Sequence, residues 1–208
     1  MVHELCLEGA FFSLIAGFDA KIAEAVAATG CRWCGGPLHK SNYLRKPRGA
    51  AFASAGEAFR LRHSLCCGRR GCRRRTLPPS LRFLGRRVYL GAVVLIASVV
   101  VLFGSATTAA RETAVPRRTL RRWAAWWTET FPTLPIWLET KARFVPPPPD
   151  AATLPLSLFE RLALEIASGA TLADVALAAA RLLAPATTSS VSDGSRFMRG
   201  IVPLSLPP

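Results

Sequence analysis

Apolar residues recur at helical spacing from Phe11 to Ala28, at Phe11, Phe12, Leu14, Ile15, Phe18, Ile22, Ala25 and Val26. Asp19, Lys21 and Glu24 supply the polar side, and Gly30 stands where such a helix would stop. The pattern predicts an amphipathic helix running directly into Cys31. From residue 31 to 76 no helical period persists. Tyr43-Leu-Arg-Lys-Pro-Arg-Gly and Phe59-Arg-Leu-Arg-His-Ser-Leu-Cys alternate in part, as short strands do, and Pro78-Pro79 closes the segment. A helix is predicted again over Leu81 to Phe103, ended by Gly104. Two shorter helices are predicted at Thr107–Thr113 and Thr119–Phe131, separated by Val115-Pro116. Pro132, Pro135 and the run Pro146–Pro149 interrupt regular structure, and the run reads as a stiff linker. Leu156–Ala167 and Leu172–Leu183 predict two amphipathic helices joined at Ser168-Gly169-Ala170. A polar stretch after Pro185 reads as a tail.

This order divides the chain into an N-terminal helix (1–30), a cysteine module (31–79), a helical domain (80–145), a proline linker (146–150), a helical pair (151–186) and a tail (187–208). The expected fold class is mostly α, with a small zinc-ribbon-like β module and a helix-turn-helix-like helical domain.

One segment also fits a different solvent. Val88 to Ala110 holds 23 residues without a charge, long enough for a membrane span. Arg86, Arg87 and Arg111 bracket it on both sides, so the positive-inside rule sets no orientation. Gly104-Ser-Ala-Thr-Thr-Ala-Ala reads as a turn and the start of a small-residue helix. A buried helix is the favoured expectation, with a single span over residues 88–110 as the alternative.

Charge sharpens the division. The chain carries 27 Lys and Arg against 13 Asp and Glu, for a net charge of +14. Residues 31–87 hold fifteen of the basic residues and one acid, Glu57, and residues 111–144 hold seven against three. A codon bias toward arginine would not segregate charge in this way. Clustered arginine is the footprint of a phosphate-backbone partner. Five of the six cysteines lie in the basic segment, and the start, Met-Val-His-Glu-Leu-Cys-Leu-Glu, is acidic where a secretory signal is positive. These features predict a reducing, cytoplasmic and nucleoid-associated setting, with metal ligation rather than a disulfide framework.

Cys31-Arg-Trp-Cys34-Gly35-Gly36 places two thiols where one tight turn can present both to a tetrahedral metal. Cys67-Gly-Arg-Arg-Gly-Cys72 is the partner pair, with four residues between its cysteines. Cys66 competes with Cys67. Cys67 is favoured because Gly68 follows it, as Gly35 follows Cys34, and because it gives the tighter pair. The expected site is one structural Zn²⁺ on Cys31, Cys34, Cys67 and Cys72, with His39 and His63 as alternative ligands and Cys6 outside the set. Arg32, Arg69, Arg70, Arg73, Arg74 and Arg75 would offset the charge of four thiolates. The 32 residues between Cys34 and Cys67 exceed the common spacing of about 15–20, which an insertion around Gly49–Gly56 would explain.

Thr107 to Trp123 has the pattern of a helix-turn-helix. Ala109, Ala110 and Ala114 suit close helix packing, Val115 a buried turn, and Leu120, Trp123 and Trp127 an inner face. Arg117, Arg118, Arg121 and Arg122 then fall near the start and on the outer side of the second helix, where a major groove would be met. Pro116 suits a first helical turn. Trp126, Trp127, Phe131 and Trp137 are expected in the core.

CRWCGGPLHKSNYLRKPRG, CCGRRGCRRRTLPPSLRFLGRRVYLG and RRTLRRWAAWW together resemble small zinc-ribbon proteins that accompany bacterial insertion sequences. They are similar also to the zinc-ribbon and helix-turn-helix front ends of transposases. The resemblance covers about residues 20–145. It implies recognition of element ends or regulation of the element. It carries Cys31, Cys34, Cys67 and Cys72 over as metal ligands and Arg117 to Arg122 as DNA contacts, and brings no catalytic domain. The aspartates, at 19, 150, 174 and 193, are too dispersed to converge on the metal ions of a nuclease. The expected function is therefore that of a zinc-stabilised accessory or regulatory DNA-binding protein of a mobile element. It would contact double-stranded DNA through Arg69, Arg70, Arg73, Arg74, Arg75, Arg117, Arg118, Arg121 and Arg122. RNA binding, a separate transposase or recombinase chain as partner, and a protein–protein adaptor role remain open at this level.

Overall fold

The computed structural model describes residues 9–46, 59–84, 89–90, 104–113, 115–142, 144, 151–166 and 169–184. Helix α1 spans Gly9–Ala28 and leads to a set of short strands: β1 (Leu38–Lys40), β2 (Tyr43–Leu44), β3 (Leu61–Arg62), β4 (Leu65–Cys67), β5 (Arg75–Thr76), β6 (Phe83–Leu84) and β7 (Tyr89–Leu90). The rest is helical: α2 (Ala106–Thr113), α3 (Arg117–Ala125), α4 (Pro135–Lys141), α5 (Leu156–Glu165) and α6 (Leu172–Leu183). Mostly helical structure with a few small strands agrees with the expected fold class.

The strands around the cysteines form one antiparallel ribbon. Leu38 faces Cys67 and Lys40 faces Leu65 in the first stretch, and Tyr43 faces Arg62 and Leu44 faces Leu61 in the second. The register is the same in both. Between them Ser41 N–H donates to the Ser64 carbonyl at 2.8 Å, and the Asn42 side chain accepts from Ser64 N–H at 3.1 Å. At the far end Arg45 N–H donates to Arg60 carbonyl at 2.9 Å. The unusual spacing between the cysteine pairs is therefore a long ribbon carried out to Arg45 and back from Arg60. The insertion predicted around Gly49–Gly56 lies outside the described residues. Strand β5 adds to β4, with Leu65 facing Thr76 and Cys66 facing Arg75, and forms the edge of the three-stranded part.

Two expectations are corrected here. The helix predicted from Leu81 does not begin there: Phe83–Leu84 pairs with Tyr89–Leu90 as a hairpin. Phe83, Leu84, Tyr89 and Leu90 are aromatic or large apolar residues that a paired strand accommodates as well as a helix does. Residues 91–103, the centre of the uncharged run, lie outside the described residues, and among the described ones no helix is long and apolar enough to cross a membrane.

Asp19 is not on the solvent side of α1. It is 1% exposed and sits in line with Ile15, Ile22 and Val26 on the buried face. Its carboxylate accepts from Ser80 Oγ at 2.5 Å, Leu81 N–H at 2.7 Å and Arg82 Nε at 2.8 Å. Arg82, also 1% exposed, donates its remaining groups to the carbonyls of Phe59 at 3.1 Å and Leu61 at 2.9 Å. A charge in that stripe is tolerated because each of its neighbours supplies a hydrogen bond. The network fastens α1 to the returning strand of the ribbon and to the segment before β6. Phe12 packs edge-on against Phe59 beside it, with centroids 4.8 Å apart.

The helical part follows its predicted pattern except at Pro132 and Pro135, which do not interrupt it: a 3-10 turn spans Phe131–Thr133 and α4 starts on Pro135, where a first helical turn needs no N–H. Gly104 and Ser105 lead into α2, and Ser105 Oγ accepts from Thr108 N–H at 3.1 Å as a cap. Ala109, Val115 and Leu120 are buried where α2 meets α3. Pro116 precedes α3 at its cap with an extended ψ of 136°, one residue earlier than the first helical turn. Beyond Ala125 the helix widens to a π turn over Trp126–Thr130. Its i→i+5 bond, Phe131 N–H to Trp126 carbonyl, stacks residues that an α-helix would splay apart. Trp126, Trp127, Phe131 and Trp137 consequently form one aromatic cluster with centroids 4.7 to 5.4 Å apart. Helices α5 and α6 match the predicted pair, α6 starting on a reciprocal Thr171–Asp174 capping box. The Arg181 guanidinium of α6 lies 4.6 Å over the Phe18 ring of α1. The proline linker at 146–150 and the tail at 187–208 lie outside the described residues.

Replacing Asp19 with Ala should cost about 3–5 kcal/mol in denaturant unfolding, because it strands a buried guanidinium. The double variant Asp19→Ala/Arg82→Met should cost less than the sum of the two single changes. Strict additivity would show that the two groups are not coupled.

Candidate metal centre

Two hairpin turns bring four thiols together. In the first, the N–H groups of Cys34 and Gly35 both donate to the Cys31 carbonyl, at 3.2 and 2.7 Å, and Cys31 N–H closes the turn on Gly36 carbonyl at 2.8 Å. In the second, the N–H groups of Cys72 and Arg73 donate to the Arg69 carbonyl, at 3.0 and 3.2 Å, and Cys67 N–H closes it on Arg74 carbonyl at 3.0 Å. The second turn repeats the first with two more residues inside it. Cys67 corresponds to Cys31, Cys72 to Cys34 and Arg73 to Gly35. That equivalence extends to the backbone, since Gly35 has φ +68° and Arg73 has φ +48°. The structural counterpart of Gly35 is thus Arg73 and not Gly68. Gly68 has a different reason to lack a side chain: a Cβ there would stand 2.5 Å from His39 Nε2.

The sulfurs of Cys31, Cys34, Cys67 and Cys72 all lie within 4.8 Å of one another, with Cys31 to Cys72 at 3.7 Å and Cys34 to Cys67 at 3.5 Å. A tetrahedron with metal–sulfur bonds of about 2.3 Å has edges of about 3.8 Å. The four ligands read from spacing are the four that converge, and they are placed to hold a metal ion. Cys66 points away, its Sγ 3.5 Å from the Arg73 carbonyl. His39 and His63 are not in the cluster; His63 is half-buried, and burial followed by the Arg82 charge holds its imidazole below the usual value. Cys6 lies outside the described residues. Gly36 is where the backbone comes closest to the sulfurs, since a Cβ there would lie 3.3 Å from Cys67 Sγ and 3.4 Å from Cys34 Sγ.

Backbone N–H groups serve the sulfurs in a regular way. Gly36 donates to Cys34, Arg69 to Cys67 and Arg74 to Cys72, each two residues on. The Gly36 bond brings the Cys34 thiol down to about 7. At Cys67 the Arg69 bond pulls down, but burial and the neighbouring thiols win and push it up to about 12. Cys72 is also raised: its bond from Arg74 pulls down, and burial with the Cys34 and Cys31 thiols outweighs it. Cys34 ionises readily, whereas Cys67 and Cys72 resist. Only a cation at the centre makes four thiolates compatible.

The arginines predicted to contact DNA remain on the surface. Arg69, Arg70, Arg73, Arg74 and Arg75 are exposed around the second turn, and Arg117, Arg118, Arg121 and Arg122 on α3. Arg69 donates to the Cys34 carbonyl at 3.0 Å and so bridges the two turns. None of these nine forms an ion pair with a carboxylate of the described residues. Two other arginines of the basic segment do not belong to that surface. Arg82 is held in the core by Asp19, and Arg62 is 5% exposed, donating to the Pro78 carbonyl at 2.8 Å. Burial depresses the Arg62 guanidinium, with the Asp19 charge opposing it. The position of Asp19 within the apolar stripe of α1 was the signal available for this pair.

No protein-family model, curated protein or solved structure matches the chain.

Serine at Cys34 or Cys72 should abolish metal retention in elemental analysis of the purified protein, whereas serine at Cys66 should leave it intact. Loss in all three would remove the assignment. Metal affinity should fall with decreasing pH, and more steeply below about 7, where Cys34 as well as Cys67 and Cys72 carries a proton in the metal-free chain. The two left-handed positions should respond differently to substitution. Gly35→Ala should cost about 1–2 kcal/mol. Arg73→Gly should change stability by less than about 1 kcal/mol, because relief of strain is offset by the freer unfolded chain.

Proposed function

We propose that the chain is a zinc-stabilised DNA-binding protein, acting as an accessory or regulator of a bacterial mobile element. Zinc is the metal that an all-thiolate tetrahedral set in a reducing compartment suits best. Four ligands leave no open position, so the ion holds the two turns together and performs no chemistry. The module is a zinc ribbon in this reading, and α2 with α3 is a helix-turn-helix whose second helix enters the major groove of double-stranded DNA.

The observation that carries the reading is the set of nine exposed arginines without a carboxylate partner among the described residues, on the cysteine turns and on the outer side of α3. An arginine surface kept for folding would be paired with acids. One left open is available to phosphates, each contact releasing a condensed counterion. The aromatic cluster under α3 supports the same reading, because it fixes the helix from within and leaves its arginines outward. Leu120 and Trp127 are fully buried while Arg117, Arg118, Arg121 and Arg122 are exposed.

Binding to duplex DNA, followed by fluorescence anisotropy, should weaken steeply from low to moderate salt. Alanine at Arg117, Arg118, Arg121 and Arg122 together should lower the affinity and reduce the slope of log K against log salt by about four. Affinity that is flat with salt, or unchanged in that variant, would remove α3 from the interface.

A further inference from the structure

Two aromatic side chains of the cysteine module stand partly in solvent, and each has two guanidiniums over its ring. Trp33, at the tip of the first turn, is 39% exposed, with Arg32 at 4.3 Å and Arg74 at 5.3 Å from its ring centroid. Tyr43, on β2, has Arg45 at 5.0 Å and Arg75 at 5.6 Å. Arg74 and Arg75 are consecutive at the start of β5, the edge strand, so one peptide unit joins the two stacks.

This arrangement has little to do with stability. Cation–π contacts between exposed groups contribute weakly to folding, and Trp33 lies outside the buried cluster. Phosphate contact does not call for it either, since the nine exposed arginines serve that purpose alone. A duplex keeps the faces of its bases hidden in the stack. A partly exposed ring under guanidiniums matches an unpaired base, which would take their place on the ring as they turn to the phosphates on either side.

We infer that the module binds single-stranded DNA across the β5 edge, stacking unpaired bases on Trp33 and Tyr43 while Arg74 and Arg75 hold the backbone between them. The inference rests on DNA being the partner, as proposed above, and adds an unpaired strand to the duplex bound by α3. A protein that meets the ends of a mobile element encounters both forms of DNA.

The test uses the full metal-loaded chain, with labelled oligothymidylate of roughly twelve nucleotides, a duplex of similar length, and oligouridylate as probes. Trp33→Ala and Tyr43→Ala should each weaken oligothymidylate binding by about fivefold or more, with duplex affinity changed less than about twofold. Trp33→Phe should restore much of the loss, because a ring remains. Unchanged metal content and thermal unfolding in each variant would establish that the fold is retained. Indifference of oligothymidylate binding to both alanine variants, with duplex binding intact, would overturn this inference alone. Equal losses on single and double strands would overturn it too, as would tighter binding of oligouridylate. Failure of the unsubstituted protein to bind either form of DNA would instead overturn the reading of DNA as partner, and this inference with it.

Discussion

A single buried carboxylate holds the cysteine module to the rest of the chain. Asp19 gathers donors from Ser80, Leu81 and Arg82, and Arg82 reaches on to the carbonyls of Phe59 and Leu61. The helix that carries Asp19 ends at Ala28, just before Cys31, and the ribbon strand that begins after Phe59 delivers Cys67. The β1–β4 register and the Arg69 bridge set the separation of the two turns, and the ion pair fixes α1 against them. Its value lies in position more than in net energy, since buried pairs are costly to desolvate. An apolar contact of equal strength would have left the helix free to slide.

The metal centre and the arginine surface are two sides of one electrostatic problem. Four thiolates around a divalent ion would leave two negative charges, which the exposed arginines around the turns would offset. Backbone N–H groups two residues past Cys34, Cys67 and Cys72 do the local part of the same work. A metal held there would both close the turns and fix the places from which guanidiniums project. A chain with the same arginines on a disordered loop would have the charge without the geometry.

Much of this could be read before any coordinates. The four ligands followed from paired spacing, and α1, α2, α5 and α6 followed from apolar period, because those signals are local. What could not be read depended on pairing across the chain. Phe83 to Leu90 became a hairpin since short apolar stretches carry no period of their own. The helical pattern assigns Asp19 to the polar side of α1, although it interrupts the stripe of Ile15, Ile22 and Val26, and Arg82 carries no local sign of its burial. The π turn at Trp126 answers the packing demands of Phe131 and Trp137, which no window around it contains.

The constant register of the ribbon has a consequence for how such modules vary. Leu38 to Arg45 and Arg60 to Cys67 close on each other rung by rung, so the ladder is complete by Arg45 and Arg60 whatever the length of the chain between them. Lengthening it costs only the entropy of a larger loop, about 0.6 kcal/mol for each doubling, and moves no sulfur. Descendants of this sequence can gain or lose whole segments there while keeping the same ion. The distance in sequence between the two cysteine pairs then follows the length of the ladder and of the chain joining it, and says nothing of which metal four cysteines can hold.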